Sequence, residues 1–152
     1  MIEVIKTEPQ HLLDLAADIR AEDRIESLLW SRVNLKTALQ NAVGTSKESC
    51  TVLVDGAPAC VFGVADMPGN PAIGVVWLRA ANRISKCLLF VMKESPMRLK
   101  MWHQQYRGGL VAYPMAENND LHLRWLRAVG FRVRRTVHAI DHTPFLEMIH
   151  HV

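Results

Sequence analysis

The sequence has little cysteine, no long apolar run and almost no charge excess, and each shortage argues against a class of protein. Cys50, Cys60 and Cys87 are odd in number and form no CxxC pair, so reduced thiols in a cytoplasm are the simplest reading. A Cys50–Cys60 bridge across an expected hairpin is geometrically conceivable. The longest apolar stretches, 73–78 and 87–92, are far too short to cross a bilayer, and no signal-peptide pattern opens the chain. Lysine and arginine total 18 against 15 aspartates and glutamates, a net charge of +3. That balance admits an anionic ligand such as a phosphorylated cofactor and lacks a nucleic-acid footprint. Absent too are P-loop, GxGxxG, GxSxG and HExxH motifs, repeats, low-complexity tracts and linkers. His138, His142, His150 and His151 lie near the C-terminus without metal-ligand spacing and read as solvated strand ends.

What is present suffices for one core. The 152 residues are 49% hydrophobic and 22% charged, which fits a single domain over 1–152. Ile2–Lys6 alternates as a strand. Thr7 and Pro9 mark a helix start, and Leu12, Leu13, Leu15, Ala16 and Ile19 form its apolar stripe. In a second helix, Ile25, Leu28, Leu29 and Val33 are expected inward and Glu22, Asp23 and Glu26 outward. Helical character continues over 34–42 as far as Gly44. The period then changes. Residues 50–54 and 59–65 read as a hairpin around Asp55-Gly56, 66–71 as a loop, and 73–78 as a central strand. Residues 84–106 read as a helix with Leu88, Leu89, Val91 and Met92 inward, kinked or broken at Pro96. Gly108-Gly109 ends it, 110–113 is a strand, and 131–140 and 145–150 are closing strands. Trp30, Trp77, Trp102 and Trp125 read as core anchors, and Cys87 as a buried thiol. This order predicts a mixed α/β (α+β) domain with a mixed central sheet of about six to seven strands and helices on both faces.

The stretch NNDLHLRWLRAVGF, residues 118–131, is the most complete local signature. Asn118 or Asn119 caps the helix start, and Asp120 puts negative charge at its positive end. Leu121, Trp125 and Ala128, with His122, Leu126 and Val129, fall on adjacent rows of one face. Gly130 suits the left-handed residue past the helix end, with Phe131 folding back.

Asn119, a short helix, then Gly130-Phe131 entering a strand resembles the C-terminal motif of the GNAT superfamily of N-acetyltransferases. The element order over almost the whole chain is similar too. The likeness is closest to the compact GNAT-like proteins of tailed bacteriophages. It runs through Val54-Asp55-Gly56-Ala57-Pro58, Phe62-Gly63-Val64, Trp77-Leu78, His122-Leu123-Arg124-Trp125-Leu126 and Pro144-Phe145-Leu146-Glu147. Such relatives include acyltransferases and internal virion components.

The resemblance implies acetyl-CoA in a gap between two splayed parallel strands. Its pantetheine arm would lie along Val76, Trp77 and Leu78, with the pyrophosphate on the backbone amides that follow and Asn119 counted among the cofactor-binding residues. Aligning Leu88-Leu89 with the family's Leu pair puts Ala80 at the loop's Gln/Arg position, Arg83 at its first Gly and Ser85 at its second. Ser85 is small enough. Arg83 departs from the pattern, because a Cβ obstructs close phosphate approach. Arg79, Arg83 and Lys86 are the direct phosphate partners that would compensate, and a basic helix start with no ligand is the equal alternative. The family's proton-donating Tyr falls on Leu126, which transfers no proton. His122, one turn earlier, is the nearest titratable substitute, weighed against a plain packing role. Asp66, Glu22, Asp23, Glu26 and Glu117 are the carboxylates available as a general base, and each reads as a surface charge.

Two functions follow. One is an acyl-CoA-dependent N-acyltransferase acting on an amine by direct attack. The other is a GNAT-fold protein without chemistry, serving as a phage virion or host-interaction component. Neither calls for nucleic acid, a membrane or a metal. A cytoplasmic or virion-associated location and a homodimer are compatible with both.

Overall fold

A computed structural model describes residues 1–151. Seven strands form one mixed sheet in the order β1-β2-β3-β4-β5-β7-β6, as the alternation of strands and helices predicts. Its strands are β1 (Ile2–Lys6), β2 (Ser46–Val54), β3 (Ala57–Met67), β4 (Asn70–Ala80), β5 (Leu110–Ala112), β6 (Arg132–His138) and β7 (Pro144–His150). The helices are α1 (Pro9–Ala17), α2 (Ala21–Ser31), α3 (Leu35–Thr45), α4 (Leu88–Gln105) and α5 (Asp120–Ala128), with a 3₁₀ helix at Asn82–Lys86. Two compact units divide the chain: Met1–Ala65 with Leu78–Leu88, and Asp66–Trp77 with Leu89–Val152. Among the described residues no helix is long and apolar enough to cross a membrane.

In the first unit β1 pairs antiparallel with β2, and β2 turns back into β3 through Asp55-Gly56. Both turn residues have positive φ, 49° and 83°, the backbone twist that a two-residue hairpin favours. Cys50 faces Phe62 and Cys60 faces Val52 across this hairpin, so the two thiols are not cross-strand partners, and all three cysteines are buried thiols outside any disulfide. Leu12, Leu15, Leu35, Leu39, Val52 and Val61 form the core here, whereas Leu13 is exposed. Glu8 rather than Thr7 is the N-cap of α1, and its N–H donates to His11 Nδ1 at 3.0 Å. Thr7 instead accepts a hydrogen bond from the Thr51 hydroxyl at 3.1 Å.

The face of α2 is the reverse of the expected one. Asp23 and Glu26 are 2% and 0% exposed, while Ile25, Leu28 and Val33 are 49%, 39% and 37% exposed. Each inward carboxylate has a charged partner: Arg20 Nη1 donates to Asp23 at 2.7 Å and Arg79 Nη1 to Glu26 at 2.9 Å. Asp23 also accepts the N–H of Ala80. Charge-assisted hydrogen bonds of this kind let a carboxylate be buried at tolerable cost. Hydropathy period therefore gives the helix but not its buried face.

In the second unit the expected loop at 66–71 shrinks to a turn at Pro68-Gly69 between β3 and β4. Helix α4 starts at Leu88, after the 3₁₀ helix, and its buried stripe is Val91, Ser95, Leu99 and Trp102. Leu88 and Leu89 are exposed. A 3₁₀ helix has three residues per turn, so a phase counted from residue 84 at α-helical pitch is displaced. Pro96 neither ends nor restarts α4, which runs unbroken through it. Beside it, the Ser95 hydroxyl donates to Val91 O at 2.6 Å and accepts from Trp125 Nε1 at 2.9 Å. Of the four tryptophans only Trp102 is a core anchor; Trp77 and Trp125 are half-buried, and Trp30 is exposed.

Helix α5 ends as its sequence indicates. Gly130 has φ 105°, its N–H donates to Arg127 O, and Phe131 N donates to Leu126 O, the paired bonds of a Schellman stop. Its buried residues are His122, Leu123 and Leu126, followed by the C-cap Val129, while Ala128 is exposed. Asn119 is the N-cap, fully buried, without a side-chain capping hydrogen bond.

Candidate active site

Strands β4 and β5 are parallel and pair at two positions, Gly74 with Leu110 and Val75 with Val111. The same end is tied further by Gly108 N to Ala72 O at 2.8 Å and Gly74 N to Gly109 O at 3.1 Å. Close approach requires Gly74, because a Cβ there would lie 2.7 Å from the Tyr106 ring. Tyr106 is itself fixed by a 2.8 Å hydrogen bond from its hydroxyl to Asp66, which is exposed as its reading as a surface charge expected. Past Val75 the β4–β5 ladder stops, because β5 ends at Ala112, while β4 runs on to Ala80. The parallel pair is thus tied at one end only, and unpaired strand backbone is what an added extended molecule would use.

The length of β4 past this pairing carries three of the expected cofactor contacts: Val76 and Leu78 buried, and Trp77 half-buried. The next expected contacts lie in the first unit and are held by neighbours there. Arg79, besides bonding Glu26, donates to Leu78 O at 3.1 Å. Arg83 pairs with Asp18 at 3.3 Å, and Asn82 donates from its backbone and side chain to Asp18. The amides of Ala80, Ala81 and Asn82 donate to Asp23, Ala59 O and Asp18 O. Ser85 and Lys86 are exposed. So the stretch resembling a phosphate loop has its first three amides already engaged.

In the second unit His122 is 7% exposed and stacks on Trp125, with ring centroids 6.1 Å apart. Leu126, at the position of the family's Tyr, is fully buried.

One polar cluster is absent from the sequence reading and one histidine lies elsewhere than it expects. Across β5, β7 and β6, Glu147 accepts from the Tyr113 hydroxyl at 2.9 Å and from Arg135 Nε at 2.6 Å. The Arg135 guanidinium holds the Glu147 carboxyl below its ordinary range, while burial and then Glu147 push Tyr113 up to about 12. A lone Glu inside the apolar run PFLEMIH was the signal for a buried partner. His150, expected in solvent, is half-buried: its Nε2 meets Val129 O at 3.0 Å and its Nδ1 meets His103 Nε2 at 2.6 Å. Burial lowers the pKa of both imidazoles. Among the described residues no group of three or more His, Cys, Asp or Glu is placed to hold a metal ion.

Solved structures decide the fold. It is that of the GNAT acetyltransferases. The aminoglycoside acetyltransferase AAC(6')-Ib, crystallised with ribostamycin and coenzyme A, superposes with a TM-score of 0.71 at 13% identity, over 98% of this chain and 92% of that one. Ard1 from Thermoplasma volcanium gives 0.69 at 11% identity, over 99% of both chains. A GNAT-family acetyltransferase from Streptococcus pneumoniae gives 0.58 at 13%, over 99% of this chain and 100% of that one. No family model and no curated protein matches the sequence. The GNAT likeness is therefore one of backbone architecture, and it spans nearly every described element.

Proposed function

We propose that the protein is an acyl-CoA-dependent N-acetyltransferase that transfers an acetyl group to an amine in the cytoplasm. The observation that carries this reading is the two-pair β4–β5 fork in a GNAT fold. Acetyl-CoA, when bound, supplies an acyl group already activated as a thioester. The residues present fit it in reduced form. Val76, Trp77 and Leu78 offer open strand backbone for an amide-bearing arm. Arg83, Ser85 and Lys86 offer side chains to the phosphates in place of a glycine cradle. Arg79 contributes structure instead, because freeing it would strand the fully buried Glu26. Asn119 fixes the start of α5. His122 holds the proton delivered to the leaving group, and the acceptor amine loses its own to ordered water. Catalysis on this reading rests mainly on positioning two reactants.

Leu126 and the engaged amides of Ala80, Ala81 and Asn82 favour a second reading. In it the fold is retained without chemistry, as a phage virion or host-interaction component. Calorimetric titration with acetyl-CoA separates the two: saturable heat supports the transferase, and none at high micromolar ligand supports the scaffold. Given binding, His122→Ala should lower turnover against a panel of amines by roughly 10²–10⁴-fold. Unchanged turnover removes His122 from the mechanism.

A further inference from the structure

The positive charge of this chain is gathered in one stretch. Residues 121–140 contain Arg124, Arg127, Arg132, Arg134 and Arg135 and no carboxylate, and the remainder holds 13 basic against 15 acidic side chains. Three of these arginines lie on β6, the terminal strand of the sheet order, so one of its edges has no strand beside it among the described residues. Positions 132–136 are all exposed. Against β7, Arg132 stands opposite Ile149 and Arg135 opposite Glu147, which puts these two arginines on one face; Val133, opposite Met148, is on the other and is 47% exposed. Arg134 falls in the register irregularity between Val133 and Arg135. One carboxylate, Glu147, answers Arg135.

We propose that β6 is a docking edge for an acidic, extended polypeptide segment, which adds to the sheet as a further strand. An open strand edge carries backbone donors and acceptors at the spacing of another strand. Side chains on the incoming strand alternate in direction, so a carboxylate at every second residue meets one arginine row. The charge selects among occupants. A second copy pairing through β6 would set arginines against arginines, and like charges directly opposite are destabilising; arginines on an edge thus guard against self-pairing. A nucleic acid would find no aromatic platform, since RVRRTVH contains no Phe, Tyr or Trp. An acidic strand satisfies both the open backbone and the guanidinium row.

The test is fluorescence anisotropy with a labelled peptide of alternating Glu and Thr, a Glu–Pro peptide of equal length and charge, and oligothymidylate. The Glu–Thr peptide should bind the full chain at low salt at least about tenfold more tightly than the Glu–Pro peptide, in which every second residue has no N–H to donate and a ring that restricts the backbone. Arg132→Glu/Arg134→Glu should lower that affinity by about tenfold or more with an unchanged circular dichroism spectrum. Thr136→Pro, which keeps every charge, should lower it too, and bound peptide should slow amide exchange along β6. Equal affinity for the two peptides, tighter binding of oligothymidylate, an unaffected double variant, or no anisotropy change up to millimolar peptide overturns the proposal.

Discussion

Glu26 has 0% exposure and an Arg79 nitrogen 2.9 Å away, and a buried ion pair responds unevenly to mutation. Removing one partner leaves the other charge without compensation, whereas replacing both by apolar groups is often neutral. Glu26→Ala should therefore destabilise by about 3–5 kcal/mol, and Glu26→Leu/Arg79→Met by much less; urea unfolding midpoints distinguish the two. The His103–His150 pair sets a dependence on pH. Burial lowers both pKa values from 6.5, so below about pH 6.5 the unfolded chain binds more protons than the folded one. Stability is then complete above that pH and falls as the solution is acidified toward the lowered folded values. Denaturation followed from pH 7.5 to 5 should show this decline, and His103→Gln, with no ring to protonate, should shrink it.

Single elements were legible where the rule governing them is local. The stop of α5 needs a residue tolerant of positive φ followed by an apolar one, and Gly130-Phe131 announces it. Adding a Cβ at Gly130 both strains a φ of 105° and brings it within 3.0 Å of His150 Nε2. Gly130→Ala should thus cost more than about 1 kcal/mol, measured as a lower thermal midpoint. The face of α2 was not legible, because the partners that bury Glu26 and Asp23 include Arg79 and the amide of Ala80, more than fifty residues away. Hydropathy period registers apolarity and is blind to a distant guanidinium. The phase of α4 was lost to the 3₁₀ helix before it. The β4–β5 fork is a register between strands with a whole helix between them, and no local pattern encodes where pairing stops.

For the molecule as a whole, element order was enough to reach a mixed α/β domain, since alternating strands and helices admit few topologies; the GNAT architecture came from the resemblance carried by residues 118–131. Order is indifferent to chemistry, however, and the phosphate-loop stretch and Leu126 depart from the family where chemistry is decided. A global measurement addresses this. A ligand that binds the folded chain alone stabilises it by about 2.7 kcal/mol at a hundredfold excess over Kd. Acetyl-CoA should accordingly raise the melting temperature by something on the order of 5–10 °C, and a flat response would favour the non-catalytic reading. The burial of Cys50, Cys60 and Cys87, at 7%, 0% and 3% exposure, bears directly on how such work is done. Ellman's reagent meets only buried cysteines on the native protein, so colour in the assay should report liberated coenzyme thiol over little background. In denaturant the same reagent should titrate three equivalents per chain, which makes the dye a built-in gauge of the unfolded fraction.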